Sequence, residues 1–138
     1  MNDPGAGRGE MNVDAPSWTE EFPAAITVCD AEGRILTMNA AAAEVFAEDG
    51  GLKLIGRNVL DCHPEPARSK LRDMLSAGRR NVYTIRKNGK KKLIYQSPWY
   101  ENGRYAGFVE LSLLLPEPLP HFERDAPSQP ASGGGRRP

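Results

Sequence analysis

Apolar residues form two strand-like regions along the chain, and in the second region they alternate with polar ones. The first region contains the β-rich apolar run of residues 25–30 and the return strand 34–38, which flank the turn sequence Asp30-Ala31-Glu32-Gly33 and predict a β-hairpin. The second region is longer, and the dipeptides Asn88-Gly89 and Asn102-Gly103 interrupt it with tight turns. It predicts three further strands, over residues 81–86, 91–100 and 104–115.

A helical spacing of apolar residues replaces this alternation directly after the first hairpin. Asn39 can cap a helix over residues 40–48, which Gly50-Gly51 would end. The apolar positions that share one face of this helix are Ala42, Val45 and Phe46.

A second, longer helix is predicted over residues 64–76, with Pro64 at its first position and Gly78 after its end. Its apolar stripe consists of Ala67, Leu71, Met74 and Leu75. The intervening residues 52–62 show no long period and indicate a short helical turn followed by a loop.

A short flanking helix is predicted before the first strand, over residues 17–23. Ser17 and Glu20 have the spacing of a capping box. This helix would carry Trp18 and Phe22 out of the N-terminal tail towards a surface.

The predicted order of elements is β-β-α-α-α-β-β-β. A hairpin, a helical middle and a three-strand meander can close into one antiparallel sheet. We therefore expect an α+β fold, with a five-stranded antiparallel sheet and helices on one face. The concavity between sheet and helices is the natural place for a small ligand.

The two ends of the chain differ in composition from the middle. Residues 1–16 offer little to bury, and residues 116–138 are rich in proline and glycine. Both are expected to be disordered, which leaves residues 24–115 as the folded domain.

The overall charge and the cysteine count exclude several classes of protein. Lys and Arg together number 18, as do Asp and Glu, so the net charge is zero and no global field recruits nucleic acid or anionic membrane. No apolar run reaches the length of a membrane span, and the only cysteines, Cys29 and Cys62, cannot form a disulfide framework. A reduced, cytoplasmic protein is expected.

One local cluster of basic residues lies around the Asn88-Gly89 turn. A nucleic-acid site is the less favoured interpretation, and a solvated hairpin whose lysines discourage edge pairing is the preferred one. The cluster consists of Arg79, Arg80, Arg86, Lys87, Lys90, Lys91 and Lys92.

Four motifs, taken in order, resemble the PAS domain family. Residues 25–42 are similar to its opening hairpin and helix start, and Leu54-Ile55-Gly56-Arg57 is similar to the loop before its middle helices. His63-Pro64-Glu65 is similar to the step that opens its long helix, and residues 105–109 to its last strand. The Cys-His-Pro-Glu-Pro form of residues 62–66 resembles a subgroup of small stand-alone bacterial PAS proteins. The resemblance implies a sensory or interaction module that binds haem, flavin, a metabolite or nothing.

The adjacent Cys62 and His63 are the most reactive-looking residues. The resemblance implies that a flavin photoreceptor of this family has its adduct-forming cysteine directly after a Gly-x-Asn sequence. Here Val59 follows Gly56-Arg57-Asn58, which disfavours a flavin adduct. A catalytic cysteine is disfavoured because adjacent side chains diverge, which leaves His63 poorly placed as a base. Zinc is disfavoured because no ligand spacing connects the thiols and imidazoles, namely Cys29, Cys62, His63 and His121.

Three functions remain open. The preferred one is a PAS-type sensor without enzymatic activity that binds a small ligand and signals through a homodimer or a separate signalling protein. The alternatives are a haem-binding gas or redox sensor with His63 as axial ligand, and a ligand-free dimerisation module. The predicted ligand-binding residues are Val59, Cys62, His63, Leu71, Tyr83, Tyr95 and Val109. The predicted interface residues are Trp18, Phe22, Trp99 and Phe108.

Overall fold

One antiparallel sheet forms the framework of the protein, whose computed structural model describes residues 15–125. In spatial order the strands are β2-β1-β5-β4-β3, which confirms the predicted α+β fold. Their bounds are β1 Ala25–Asp30, β2 Ile35–Met38, β3 Asn81–Lys87, β4 Lys90–Glu101 and β5 Arg104–Leu114. The expected disorder of the tails concerns mostly residues 1–14 and 126–138, which lie outside the described range.

Within residues 15–125, three α-helices and three 3₁₀ turns accompany the sheet. The α-helices are α1 Ser17–Glu20, α2 Ala40–Val45 and α3 Ala67–Ala77, and the 3₁₀ turns are Ala47–Asp49, Gly51–Leu54 and Val59–Cys62. α2 is shorter than predicted because the chain tightens after Val45 into 3₁₀ turns around Gly50. α3 begins later than predicted because Pro64 and Pro66 have no N–H, and the helix starts only after the second proline.

The flanking helix α1 begins in a different way from the predicted capping box. Pro16, not Ser17, occupies the N-cap position, and no side chain caps the helix. The Thr19 hydroxyl instead donates a hydrogen bond of 2.7 Å to the Pro16 carbonyl oxygen. The helix ends at Glu20, before Phe22.

Both predicted Asn-Gly turns are present. Asn88 and Asn102 each have φ of 52°, and the glycines that follow them have φ of 76° and 79°. Two successive residues with positive φ match the right-handed twist of the flanking strands. These turns fix the register of the meander, so they also determine which side chains share a face.

Asn39 ties the N-terminal elements together from a buried position. Its Oδ1 accepts from the Ala42 N–H at 3.0 Å, which caps α2 as predicted, and from the Ile26 N–H at 2.9 Å. Its Nδ2 donates to the carbonyl oxygens of Ala24 and Thr19 at 2.8 and 2.9 Å. One amide therefore joins α1, β1 and α2.

The core consists of two small clusters rather than one large one. Beneath α2 lie Ala25, Ile35, Met38, Ala42 and Leu54. Beneath α3 lie Cys29, Leu75 and Phe108. Val59 packs against both clusters. Since the two clusters meet only through such half-buried side chains, the space between helices and sheet is incompletely filled.

Candidate functional site

The strand register divides the sheet into two faces of different chemistry. Cys29 pairs with Phe108 and Thr27 with Glu110, so these side chains share the inner face, which packs against the helices. Following the register across β4 and β3, the inner face also carries Tyr83, Ile94, Gln96 and Ser112. The outer face carries Ile26, Val28, Val82, Leu93, Tyr95, Trp99, Val109, Leu111 and Leu113. The outer face is therefore largely apolar, whereas the inner face combines apolar core residues with several polar ones.

A narrow chamber of about 70 Å³ lies between the inner face and α3. Its walls combine apolar groups with polar ones. The apolar residues are Val59, Leu71, Met74, Leu75 and Phe108, and the polar ones are Thr27, Cys29, His63, Gln96 and Glu110. A wider, more open groove of about 630 Å³ adjoins it and shares His63, Leu71, Met74 and Gln96. We call the chamber and this groove together the cleft.

Glu110 is the carboxylate in the wall of the chamber. Burial raises its pKa above the ordinary value, against smaller opposing effects of a hydrogen bond from Gln96 and the charge of His63. The charge of Glu110 in turn contributes to raising the pKa of Cys29 and of Tyr83. Ionisable groups from β1, from β3 and from the loop before α3 thus surround one carboxylate.

Cys29 is the buried thiol of the inner face. It is 6% exposed, and desolvation is the main cause that raises its pKa to about 11. The thiol is therefore protonated at neutral pH and is a poor nucleophile. Cys62, by contrast, is exposed, and its Sγ lies 4.0 Å from the Asn58 carbonyl oxygen. It does not line the chamber.

His63 lies at the mouth of the chamber with one ring nitrogen engaged. Its Nδ1 is 2.7 Å from the Val59 carbonyl oxygen. A carbonyl can only accept, so Nδ1 carries the proton and Nε2 is left as the basic nitrogen. This arrangement is the one that metal-ligating histidines use.

His63 has the chemistry of a haem ligand, but the cleft does not have the shape of a haem pocket. Pockets for drug-sized ligands measure about 300–1,000 Å³, and a porphyrin is larger than most such ligands. The chamber of about 70 Å³ is closed by the contact of Leu75 with Phe108. A haem would have to separate α3 from the sheet and would lie against the Glu110 carboxylate. The cleft as it stands does not fit this group.

The structure brings some of the predicted ligand-binding residues together. Val59, His63 and Leu71 line the chamber, and Tyr83 borders the groove. Tyr95 does not join them, because its pairing with Val82 and Leu111 places it on the outer face. The remaining predicted residue on the sheet, Val109, contributes to the chamber wall at β5, although its register turns its side chain outwards.

The predicted interface residues also separate into two groups. Trp18 and Phe22 are exposed, and their rings pack edge to face with centroids 5.6 Å apart. Trp99 lies on the outer face as expected. Phe108 is only 6% exposed and packs against Leu75 in the core, which corrects its assignment to an exposed surface. The β5 alternation that puts Val109 outwards puts Phe108 inwards.

Trp99 forms a specific link across the sheet. Its Nε1 donates a hydrogen bond of 3.0 Å to the Cys29 carbonyl oxygen on β1, two strands away. The strand between them has Gly107 opposite Trp99. A Cβ on Gly107 would collide with that same carbonyl oxygen. The absence of a side chain on Gly107 is thus what lets the outer face contact the backbone of a cleft residue.

Sequence reasoning missed Glu110 and Gln96, which line the chamber from β5 and β4. The signal was present in the alternation of β5, where Phe108, Glu110 and Ser112 occupy the positions between outward apolar residues. An acid in the middle of a long strand indicates either a solvent-exposed position or a binding site, and the register places Glu110 on the inner face, in the wall of the chamber.

The basic hairpin is partly neutralised by the chain that follows β5. The Arg86 guanidinium makes two hydrogen bonds to the Glu117 carboxylate, at 3.2 and 2.9 Å.

Within the part of the chain that the structure describes, no group of three His, Cys, Asp or Glu could hold a metal ion. Between residues 15 and 125, no helix has the length and apolar character needed to cross a membrane.

Comparisons with known proteins agree with this geometry. Residues 19–80 match a family model described as PAS fold. No curated protein matches. Among solved structures, a C-terminal domain from Streptococcus mutans superimposes with a TM-score of 0.60 at 19% identity, covering 71% of this chain and 80% of that one.

Two further structures are described by name as PAS proteins. The PAS domain of BvgS from Bordetella pertussis gives a TM-score of 0.54 at 19% identity, covering 74% of this chain and 84% of that one. The Aer2 receptor from Vibrio cholerae, described as a dual PAS-heme oxygen sensor, gives 0.55 at 15% identity, covering 67% of this chain and 95% of that one. The chain therefore has a PAS-like α+β fold.

Proposed function

We propose that this protein is a PAS-type sensory module that binds a small ligand in the cleft and associates with a second copy through the outer face. The observation that supports the proposal is the distribution of polar and apolar side chains over the sheet. An antiparallel sheet with one covered face normally turns its apolar side chains inwards and its polar ones to water. Here the inner face holds Glu110, Gln96 and Thr27 beside its apolar core residues, and the outer face is largely apolar.

The ligand-binding half of the proposal follows from the inner face. A largely buried carboxylate costs free energy in the folded state unless a partner compensates it. Tolerating it between helices and sheet is reasonable if the polar groups of the cleft serve recognition. The adjoining groove of about 630 Å³ offers room for the body of a metabolite.

The association half follows from the outer face. Leu93, Tyr95 and Leu111 lie side by side on the outer face, where each is half-buried in the protomer, and apolar surfaces mark interaction sites. The exposed Trp18 and Phe22 add two aromatic side chains of the type enriched at interfaces. Mutual burial in a homodimer would remove this surface from water. The proposed signal would reach it from the cleft through the sheet, and the module would perform no catalysis itself.

Native mass spectrometry of the purified protein tests ligand binding. We expect an additional small mass, which Thr27→Ile should abolish by filling the chamber. Val28→Ile is the matched control, because it adds the same kind of bulk to the next residue on the outer face. A visible spectrum is recorded in parallel. A Soret band lost in His63→Ala would replace the proposal with the haem sensor.

Analytical ultracentrifugation tests association. We expect wild type to be dimeric and Leu111→Glu to be monomeric, since that change puts a charge at the centre of the outer face. Leu114→Glu is the control, because Leu114 is already 56% exposed and pairs with Lys92 on the other face. A wild-type monomer at high concentration contradicts the association. A dimer that carries no ligand supports the ligand-free dimerisation module instead.

A further inference from the structure

Between residues 15 and 125, no lysine or arginine forms an ion pair with the Glu110 carboxylate. Among residues 15–125, the ion pairs within 4.0 Å are Asp30 with Arg34 and Arg86 with Glu117. The register also puts Lys87, Lys90 and Lys92 on the inner face. Lys87 and Lys92 line a further cavity of about 180 Å³ together with Glu110, but neither forms an ion pair with it.

The surroundings of Glu110 supply little that a charged carboxylate could use. The Gln96 amide donates to it, and the charge of His63 at the chamber mouth favours its ionised form, yet burial outweighs both. Cys29 and Tyr83 do not offer positive charge. Asn81 Nδ2 already donates to Gln96 Oε1 at 2.9 Å, which orients the Gln96 amide with its N–H groups available for Glu110.

We infer that the cleft recognises a small molecule with a positively charged nitrogen, which pairs with Glu110 while an apolar body lies against Leu71 and Met74. This inference rests on the proposed ligand-binding function and names the chemistry of the ligand. The chamber of about 70 Å³ accommodates a head group, and the wider groove accommodates the remainder. A hydrogen bond between ionised partners in such a site is stronger than one between neutral groups.

The orientation of such a ligand follows from the charges at the outer end of the groove. Lys70 and Arg79 border it there together with a single acid, Asp73. These cations disfavour a positive head group at the opening, and Glu110 favours it inside. The head is therefore drawn inwards, and a ligand that also carries a carboxylate would direct that group towards Arg79.

Isothermal titration of the full chain with matched series of compounds tests the inference. The probes are phenethylamine and n-butylamine, the alcohols of the same carbon skeletons, and the corresponding carboxylic acids. We expect the amines to bind and the alcohols and acids to bind at least about tenfold more weakly. Glu110→Gln, which keeps the shape and removes the charge, should abolish this preference. Glu101→Gln makes the same charge change on the exposed end of β4 and should leave it intact.

The outcomes separate this inference from the proposed function. Alcohols or acids that bind as well as the amines, or a preference for amines that persists in Glu110→Gln, overturn the assignment of a cationic ligand. The ligand-binding function still stands in that case if native mass spectrometry finds a bound mass that Thr27→Ile removes. Absence of binding by all three series, together with no bound mass, overturns both.

Discussion

The two faces of the sheet are made by the same three strands, β4, β5 and β1, and yet they differ in what they bury. The inner face is covered by helices but contains a carboxylate, an amide and a thiol. The outer face is uncovered but carries leucines, valines and two large aromatics. A carboxylate beside core residues such as Phe108 costs stability unless a partner compensates it, and so does an apolar face that remains in water. The proposed ligand and the proposed homodimer would each compensate one of these costs.

Shortening an apolar side chain should change the stability of the protomer far more on the inner face than on the outer face, and this is the largest difference that we expect. Phe108→Ala removes a ring from the core cluster beneath α3 and should lower the free energy of unfolding by about 3–5 kcal/mol. Leu111→Ala, on the outer face, should cost the isolated protomer less and should mainly weaken association. Urea denaturation at low protein concentration measures the first effect, and sedimentation the second. Equal losses of protomer stability would show that the outer face belongs to the core.

The two cysteines should differ next most strongly. A pKa of about 11 instead of 9.0 for Cys29 lowers its thiolate fraction about 100-fold at neutral pH. Burial blocks access as well. With a disulfide reagent, native Cys29→Ala should therefore label rapidly at Cys62, whereas native Cys62→Ala should label at least about 100-fold more slowly. Fast labelling of Cys62→Ala would mean that α3 opens readily from the sheet.

The buried carboxylate of Glu110 should make the free energy of unfolding depend on pH, and this contribution belongs to the inner face only. A pKa that is raised in the folded state means that the folded protein binds the proton more tightly than the unfolded one. The protein is then stabilised below the ordinary pKa of a glutamate, and that stabilisation is lost as the pH rises through the raised pKa of Glu110. The neighbouring ionisable side chains are His63, Tyr83 and Cys29.

Glu110→Gln should accordingly raise the melting temperature of the ligand-free protein by several degrees at neutral pH and little at pH 4. Glu101→Gln, exposed at the end of β4, should show no such pH-dependent gain. Calorimetry across this range measures both. A gain that is independent of pH would assign the effect to packing and not to charge.

The smallest effect is expected for the link between the faces. Trp99→Phe keeps the ring and removes the Nε1 donor to Cys29, which should cost about 1 kcal/mol. Its more informative readout is the amide NMR shift of Cys29 and its neighbours, which should move without a change of fold. Trp99→Leu serves as the comparison, since it loses ring packing as well. An unchanged spectrum for β1 would contradict the link.

The strands and turns could be predicted from the sequence because their signals are local. The Asn-Gly dipeptides locate the meander, and the period-two pattern gives its strands. The start of a helix was harder to predict. For α3, either Pro64 or Pro66 could precede or begin the first turn, and the sequence does not distinguish them. The Asn39 cap was recognised, but its contacts to α1 depend on residues 20 positions away.

The sidedness of the sheet could not be predicted in the same way. Alternation separates Val109 and Leu111 from Phe108 and Glu110 but does not say which set meets the helices. Because the outer face is also apolar, hydrophobicity alone does not show which face of the sheet Tyr95 occupies. The structure shows it, since Cys29 and Phe108 pack against Leu75 of α3 and the strand register puts Tyr95 on the opposite face. The same ambiguity hid Glu110, whose role depends entirely on that choice.

The Asn39 amide has a consequence for how the N-terminal helix can move. Its two acceptor bonds hold β1 and α2, while of its donor bonds only those to Thr19 and Phe22 reach α1 and the residues after it. Water can replace those carbonyls without disturbing the cap of α2. α1 can thus undock as an independent unit, and its amides should exchange with deuterium well before those of β1. Detachment of α1 therefore costs the protein only the hydrogen bonds from Asn39 to Thr19 and Phe22 among the bonds that Asn39 makes, and contacts with a bound partner can offset that cost.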